Sequence, residues 1–287
     1  MIYNIDILTG DCTKERERSQ ALSHRAWPCA GMRQGDQEVM EKSRLSTERE
    51  WASRFMDAGK VSYEAAAPLA LFADPATSTG GEKATMEIPS HEALKGFTKN
   101  IFWKPCLIWH IDRVRIMNPI RTWAEGQRLL GIRGDVDRVC FTYLTDVRYQ
   151  VEAHFEFNRN RPEFEPQWKN PRKYYSEFVR AAMAEGRRVP FFGKSECLPT
   201  YIRLCEFGAG DGYYDGKGER RLGYLYYGLT YPDEAYDSET KGMLTYNVFN
   251  AVMKDGIVTY PDPSKCLRRA VREFPVKQFP EKREEAE

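Results

Sequence analysis

The sequence lacks the features by which zinc proteins and membrane proteins are most easily identified. None of its seven cysteines forms a CxxC pair, and its four histidines do not lie at zinc-ligand spacing from a cysteine. No apolar run approaches the roughly 20 residues that a membrane-spanning helix needs. Charged residues from Asp11 onward argue against a secretory signal peptide. We therefore expect a cytoplasmic protein with reduced cysteines, without membrane contact, metal or cofactor.

Net charge is almost absent as well, because 43 Lys and Arg face 42 Asp and Glu. Locally the balance shifts: residues 95–133 hold eight bases against two acids, and residues 158–188 hold eight against four. Residues 206–239 hold eight acids against three bases. Aromatic residues are interleaved with the basic stretches, and aromatic rings can stack on bases for roughly 1–3 kcal/mol each. This pattern is typical of RNA binding, although solvated basic surfaces and core aromatics are the alternative.

Residues 1–58 differ from the rest of the chain because they are polar and balanced in charge. We predict an N-terminal appendage with one helix, or an upstream start codon with Met56 as the natural beginning. The predicted domains are a ferredoxin-like domain over 59–207, a β domain over 208–275, and a charged tail over 276–287.

The order of predicted elements in 59–207 is strand, helix, strand, strand, helix, strand. Ser90 is the expected N-cap of the first helix, and Asn170 with Pro171 opens the second, which Gly186 ends. The order is the split βαβ pattern that RNA-recognition modules also use. We therefore predict an α+β fold: a ferredoxin-like (RRM-like) domain followed by a smaller antiparallel β domain with a hairpin turn at 255–256.

The start of the second predicted helix is the strongest candidate site. Arg172, Lys173 and Tyr174 lie in its first turn, where unpaired N–H groups and the helix dipole attract an anion. A cation and a hydroxyl beside a phosphate suit RNA cleavage by the RNA's own 2′-OH, since they stabilise charge and protonate the leaving oxygen. The alternative is a surface lysine beside a tyrosine packed against the helix.

Two further segments are weaker candidates. His154 lies between Glu152 and Glu156 on the polar face of a strand. It is a candidate ligand for a base or phosphate, or a surface histidine. The glycine-rich loop over 208–218 lacks the spacing of phosphate-binding loops and is predicted to be a turn region.

Four sequence blocks together resemble a known family. They are ALFADPATSTGGEKATMEIPSHEALKGFTKNIFWKP (70–105), DVRYQVEAHFEFN (146–158), CEFGAGDGYYDGKG (205–218) and AVMKDGIVTYP (251–261). The blocks resemble the type I-C (Dvulg) branch of the CRISPR-associated Cas family five, of the RAMP superfamily. The resemblance implies an endoribonuclease that cuts CRISPR repeat RNA at a hairpin without metal. It also implies retention on the 5′ handle of the crRNA, beside the backbone and large subunits of a type I-C Cascade complex.

The resemblance also implies three catalytic positions, and the sequence departs from the family at two of them. The family tyrosine corresponds to Phe102, and the family Lys-His pair corresponds to Lys173 and Tyr174. That alignment needs a one-residue insertion after His154; without it, Arg172 and Lys173 occupy the pair. Because a positioned acid or base contributes ~10²–10⁴-fold, cleavage must use other groups, be slow, or be absent. The residues expected to contact RNA are Lys95, Lys104, Arg148, His154, Arg172 and Tyr175.

Three functions remain open at this point. One is a metal-independent endoribonuclease in which Lys173 stabilises phosphate charge and Tyr174 contributes a proton. The second is a non-catalytic subunit that binds the crRNA handle. The third is an RNA-recognition module unrelated to CRISPR.

Overall fold

The computed structural model describes residues 34–73, 82–130, 136–167, 170–235 and 240–274. Most of the predicted appendage, the predicted tail and a loop that we expect at Gly80-Gly81 lie outside these residues. The chain divides into two compact units, Met1–Glu50 and Trp51–Glu287. Within the described ranges, no helix is long and apolar enough to span a membrane.

Helices and strands account for most of the described chain. The α-helices are α1 (Gln34–Ala58), α2 (His91–Ile101) and α3 (Pro171–Met183), with short 3₁₀ helices at Pro162–Gln167, Pro232–Glu234 and Pro263–Lys265. The strands are β1 (Val61–Ala70), β2 (Glu82–Ala84), β3 (Leu107–Ile116), β4 (Thr122–Leu130), β5 (Val136–Phe157), β6 (Tyr201–Leu204), β7 (Glu219–Thr230), β8 (Met243–Lys254), β9 (Ile257–Thr259) and β10 (Leu267–Glu273).

The strands form one sheet in the order β10-β8-β9-β3-β5-β1-β6, with β2 and β4 paired to β5 and β7 paired to β8. Its middle part, β3-β5-β1-β6, is antiparallel throughout. Helix α2 connects β1 to β3 by way of β2, and α3 connects β5 to β6. This is the ferredoxin-like arrangement of two split βαβ units, so the predicted fold class is confirmed.

The strands after residue 208 extend the same sheet, because β9 pairs with β3 from Arg113↔Thr259 to Arg115↔Ile257. The predicted hairpin turn joins β8 to β9, and both of its central residues have positive φ: 48° at Asp255 and 78° at Gly256. A tight turn of this kind favours Asp-Gly for that reason. A separate domain from 208 onward stays a prediction.

Strand β5 is longer than the sequence indicated. The alternation of apolar and polar residues over 147–157 predicts a strand there, and a separate piece is expected over 138–144. Instead, one strand runs from Val136 to Phe157 through Asp146, whose φ is +52°. Its first half pairs with β4, a strand that was not predicted from the sequence.

The predicted helix caps are confirmed. The Ser90 hydroxyl accepts a hydrogen bond from the Ala93 N–H at 3.2 Å. The Asn170 side-chain oxygen accepts one from the Lys173 N–H at 3.3 Å. Both bonds satisfy N–H groups that lack a partner inside the helix, which is why these residues mark the helix starts.

The chain beyond α3 is fixed by a glycine turn. Gly186 has φ +109°, and its N–H donates to the Ala181 carbonyl at 2.8 Å. The next two N–H groups, of Arg187 and Arg188, donate to main-chain carbonyls at the end of α2, each at 3.0 Å. This turn therefore ties the end of α3 to the end of α2 and aligns two arginines there.

The core lies between the sheet and the helices. Tyr63 of β1 packs on Phe97 of α2 at 5.9 Å and on Phe178 of α3 at 6.3 Å between ring centroids. Both helices therefore cover the same face of the sheet. Phe55, in the last turns of α1, also contacts Phe178 at 6.3 Å, and Ala52 is buried beside it. The last turns of α1 thus contribute to the core, because these two apolar residues lie three apart on one helix face, and the domain boundary at 59 stays a prediction.

Candidate nucleic-acid interface

Three basic side chains converge on one carboxylate at the ends of α2 and α3. Glu177 lies 3.0 Å from an Arg187 nitrogen, 3.7 Å from the Lys104 ammonium and 3.9 Å from the Lys173 ammonium. We call Lys104, Lys173 and Arg187 around Glu177 the basic cluster. With three cations and one anion, it carries a formal charge of +2.

The local fold brings these side chains together from three parts of the chain. Lys173 and Glu177 are one helical turn apart on α3, so their side chains lie on the same face. Arg187 is placed by the glycine turn after α3. Lys104 lies in the loop that follows α2, and its carbonyl accepts from the Leu107 N–H at 3.0 Å as β3 begins.

The cations of the cluster reach solvent while its carboxylate does not. The side chains of Lys173, Arg187 and Lys104 are 60%, 45% and 37% exposed, whereas that of Glu177 is 10% exposed. Only Arg187 lies within hydrogen-bond distance of Glu177. Both ammonium groups are therefore held near the carboxylate yet remain accessible to an external anion such as a phosphate.

Phe102 lies directly beneath the basic cluster. It is fully buried, and the Arg187 guanidinium sits 4.5 Å from the centre of its ring. This distance is typical of a cation–π contact. At the position of the family tyrosine, the chain therefore presents an apolar ring that supports a cation and cannot exchange a proton.

Tyr174 and Tyr175 point into the core instead of toward the basic cluster. The Tyr174 hydroxyl lies 3.5 Å from the Cys106 sulfur, and the Tyr175 ring packs 4.8 Å from that of Phe155. Burial raises the pKa of both phenols above the ordinary value. Their predicted roles with RNA stay predictions, since both side chains are almost fully covered in this conformation.

The first turn of α3 offers fewer free N–H groups than we expected. Pro171 has none, and the Lys173 N–H already binds the Asn170 side chain. Binding of an anion by the main chain at this turn stays a prediction, and side-chain cations are exposed beside it. Arg172 and Lys173 are both exposed, whereas Tyr174 is buried.

The remaining predicted RNA contacts lie elsewhere. Lys95 is buried on α2 and forms an ion pair with Glu234. Arg148 and His154 lie on the even-numbered side of β5, whereas Phe155 meets α3 on the odd-numbered side. Arg148 and His154 therefore lie on the sheet face opposite the basic cluster. Of the predicted RNA contacts, the cluster contains Lys104 and Lys173 but not Lys95, Arg148 or His154.

That opposite face carries a dense set of ion pairs centred on Glu64. Arg148 donates to Glu64 at 2.9 and 3.3 Å, Arg203 at 2.6 Å and the Tyr201 hydroxyl at 2.8 Å. Burial alone would raise the pKa of Glu64, but Arg148, Tyr201 and a Gln150 amide outweigh it and hold that pKa below the ordinary value. We call Glu64, Arg148, Gln150, Tyr201 and Arg203 the sheet-face network.

A second group of charges lies next to the sheet-face network. Arg113 donates to both oxygens of Glu152 at 2.9 Å, and a His154 ring nitrogen lies 2.9 Å from Asp112. Burial opposes ionisation of both acids, yet their hydrogen bonds and neighbouring cations lower the pKa of each. Within the described ranges, no three His, Cys, Asp or Glu side chains are grouped as metal ligands.

The glycine-rich loop covers part of this face. The Arg115 guanidinium donates to the carbonyls of Ala209 and Gly210 at 3.3 and 2.9 Å and to the Asp215 carboxylate at 2.6 Å. The loop thus directs carbonyl oxygens at a protein cation, whereas a phosphate cradle would direct N–H groups at an anion.

Glu177 and Arg187 were not predicted from the sequence as site residues. Arg187 belongs to the basic stretch over 158–188 and directly follows the glycine that was predicted to end the helix. Glu177 follows Lys173 by four residues, the spacing of a helical ion pair. Both signals were present, but the contact of Arg187 with Phe102 depends on how the two helix ends meet.

Comparisons with known proteins agree with the architecture. A family model described as CRISPR-associated protein (Cas_Cas5) matches residues 61–261. A solved structure titled "Crystal Structure of CRISPR-associated Protein" is 25% identical with a TM-score of 0.60, and the match covers 73% of this chain and 96% of that one. A functionally uncharacterized protein, SMU1763c from Streptococcus mutans, is 27% identical with a TM-score of 0.59 and the same coverage. The search of curated proteins gave no match. The resemblance inferred from the four sequence blocks is confirmed.

Proposed function

The chain belongs to the CRISPR-associated Cas5 family, and from that premise we propose that it binds CRISPR repeat RNA through the basic cluster. In this role it is the subunit that holds the 5′ handle of the crRNA in a type I-C surveillance complex. The backbone and large subunits are its expected partners, and the cytoplasm is its expected location.

One observation carries the proposal: three exposed cations surround one buried carboxylate beside the family's catalytic positions. Two of them, Lys104 and Lys173, lie beyond hydrogen-bond distance of Glu177. A phosphate can therefore approach them without first displacing a short hydrogen bond. Lysine and arginine contacts to phosphates supply most of the affinity of proteins for nucleic acid.

Binding of the chain's own repeat RNA tests the proposal. Fluorescence anisotropy with labelled repeat RNA should give saturable binding that weakens for Lys173→Ala and Arg187→Ala. A matched control is Arg221→Ala, because Arg221 is an exposed arginine on β7 that also contacts a glutamate, Glu219. The same loss of affinity in the control, or none in the cluster variants, would contradict the role of the cluster.

Metal-independent cleavage of the same RNA is the second candidate function. It is favoured by the exposed Arg172-Lys173 pair, which opens α3 where the alignment without an insertion places the catalytic pair. Cations there would stabilise the charge that develops on the phosphate as the 2′-OH attacks. Phe102 and the buried Tyr174 leave no positioned proton carrier at the other family positions, so we expect slow cleavage at most.

Incubation of repeat RNA with the purified protein in EDTA separates the two functions. A single cut that disappears in Lys173→Ala supports the enzyme. Intact RNA that remains bound by the wild-type protein removes the enzyme and leaves the binding subunit.

A further inference from the structure

An open cavity of about 750 Å³ lies next to the basic cluster, on the helix side of the sheet. Helix α2, the segment from Arg187 to Lys194, the end of β1 and Tyr226 of β7 form its walls. Its volume lies within the roughly 300–1,000 Å³ that is usual for ligand sites. Nothing in the proposed function assigns a ligand to it.

Cations outnumber acids around the cavity. Among the described residues, its lining includes Lys99, Arg187, Arg188 and Lys194 but one acid, Glu92. Three of the cations also contact carboxylates: Lys99 meets Glu234, Arg187 meets Glu177 and Lys194 meets Glu196. Two of those carboxylates are shared with further lysines, Lys95 and Lys104. The lining and its neighbours therefore keep an excess of positive charge, which suits a phosphate chain.

Aromatic rings stand at the rim of the cavity. Trp103 and Phe191 both line it, and they are 41% and 36% exposed. Large apolar rings that share a rim form an exposed patch of the kind that marks ligand-binding grooves. Exposed rings beside cations are the surface on which single-stranded nucleic acids stack their bases.

Glu92 places a carboxyl group, a hydrogen-bond acceptor, among the described residues that line the cavity. It follows His91 at the start of α2, and burial raises the pKa of its carboxyl. Gly228 of β7 packs against the Glu92 side chain: an added Cβ there would lie 2.8 Å from a Glu92 oxygen and 3.0 Å from the Glu92 Cβ. A side chain at 228 would push the carboxylate away from its present position.

Continuity with the basic cluster identifies the occupant. Arg187 lines the cavity and contacts Glu177, and Trp103 precedes Lys104 in the chain. When one phosphate of an RNA strand is bound at the basic cluster, the base of the neighbouring nucleotide can therefore reach the cavity. We propose that this cavity binds one unstacked guanine base of the RNA, with its ring against the exposed aromatics and its N–H edge on the Glu92 carboxylate.

Guanine is the base whose chemistry fits this acceptor. Its Watson–Crick edge carries a ring N–H and an exocyclic amine side by side, so one carboxylate can accept two parallel hydrogen bonds. Adenine and cytosine present only the exocyclic amine beside a ring acceptor, and uracil presents one N–H between two carbonyls. A side chain that makes two hydrogen bonds to one base typically binds the correct base about tenfold or more tightly than the wrong ones.

The inference rests on the proposed function, so the experiment measures both. The probes are labelled uridine oligonucleotides of about 12 nucleotides, within the site sizes of single-strand binders, each carrying one central G, A, C or U. The wild-type protein should bind the G probe about tenfold more tightly than the other three. Glu92→Gln should remove this preference without weakening binding of the all-uridine probe, because loss of an acid from a cation-rich site does not reduce its attraction for phosphates.

Gly228→Ala provides a second variant that keeps the charge of Glu92 but displaces its carboxylate, and it should also remove the preference. Glu87→Gln is the matched control, because Glu87 is an exposed glutamate on the same segment and pairs with Arg220. Thermal melting verifies that each variant is folded. Equal affinity of the wild type for all four probes, or a preference for G that survives Glu92→Gln, overturns the guanine site alone. If the protein binds neither the probes nor the repeat RNA, the proposed function is overturned as well.

Discussion

On the face of the sheet away from the helices, Arg148 and Arg203 bind the buried carboxylate of Glu64 at hydrogen-bond distance, with 2.6 Å the shortest. On the helix side, Lys104 and Lys173 lie 3.7 and 3.9 Å from Glu177. Both regions combine several cations with one buried acid. They differ in how closely the acid holds its cations.

This difference separates a structural role from a binding role. In the sheet-face network, each arginine is bound to a carboxylate and the acid receives four partners, so removal of the acid leaves several polar groups unpaired. In the basic cluster, the loosely held lysines stabilise the fold little and remain available for an anion. The following predictions test that contrast.

The largest effect is expected for Glu64→Ala. It removes the common partner of Arg148, Gln150, Tyr201 and Arg203 and should lower the free energy of unfolding by about 3–5 kcal/mol. Urea denaturation measures the change. Glu219→Ala, at an exposed pair with Arg221, should cost less than about 1 kcal/mol. Similar losses for both variants would show that the sheet-face network is not specially stabilising.

The stability of the protein should also fall in acid. The pKa values of Glu64, Asp112 and Glu152 are lowered in the folded state. Their contribution is therefore complete above the unfolded pKa values near 4 and is lost as the pH falls through the folded ones. Urea midpoints should decline below about pH 5, and the decline should be smaller in Glu64→Ala. If the urea midpoint of Glu64→Ala declined with acid as steeply as that of the wild type, Glu64 would not contribute to the pH dependence of stability.

A smaller effect is expected for Tyr174→Phe. The hydroxyl lies in the core near the Cys106 sulfur, so its loss should cost roughly 0.5–1.5 kcal/mol of stability and leave RNA affinity and any cleavage unchanged. Denaturation, anisotropy and the EDTA assay measure the three quantities. A tenfold or larger loss of cleavage would place this hydroxyl at the RNA and restore the proton role predicted from the sequence.

The sequence predicted the fold better than the site because the two depend on different information. Helix caps and turns are set by local sequence, as at Ser90, Asn170 and Asp255-Gly256. The alternation of apolar and polar residues in β5 is also visible in the sequence. The order of helices and strands could therefore be predicted. Strand β4 was not predicted, because its pairing with β5 is a tertiary contact that no local pattern contains.

The candidate site required the fold itself. Lys173 was predicted from its place in the first turn of a helix, but the contact of Arg187 with Phe102 arises only where two helix ends meet. Lys95 and His154 have the residue types of RNA ligands, yet tertiary structure pairs them with Glu234 and Asp112. Sequence alone does not distinguish a cation that holds the fold from one that meets a ligand.

The salt dependence of repeat-RNA binding tests the central claim most directly. The triple variant Lys104→Ala/Lys173→Ala/Arg187→Ala removes the basic cluster, and Arg268→Ala/Arg269→Ala/Arg272→Ala removes the same charge from β10, whose residues are all exposed. If the cluster binds three phosphates, the log–log salt slope should fall by about 2, since each contact contributes roughly 0.7. The β10 variant should keep the wild-type slope. Equal slopes and affinities for the wild type and the cluster variant would contradict the account.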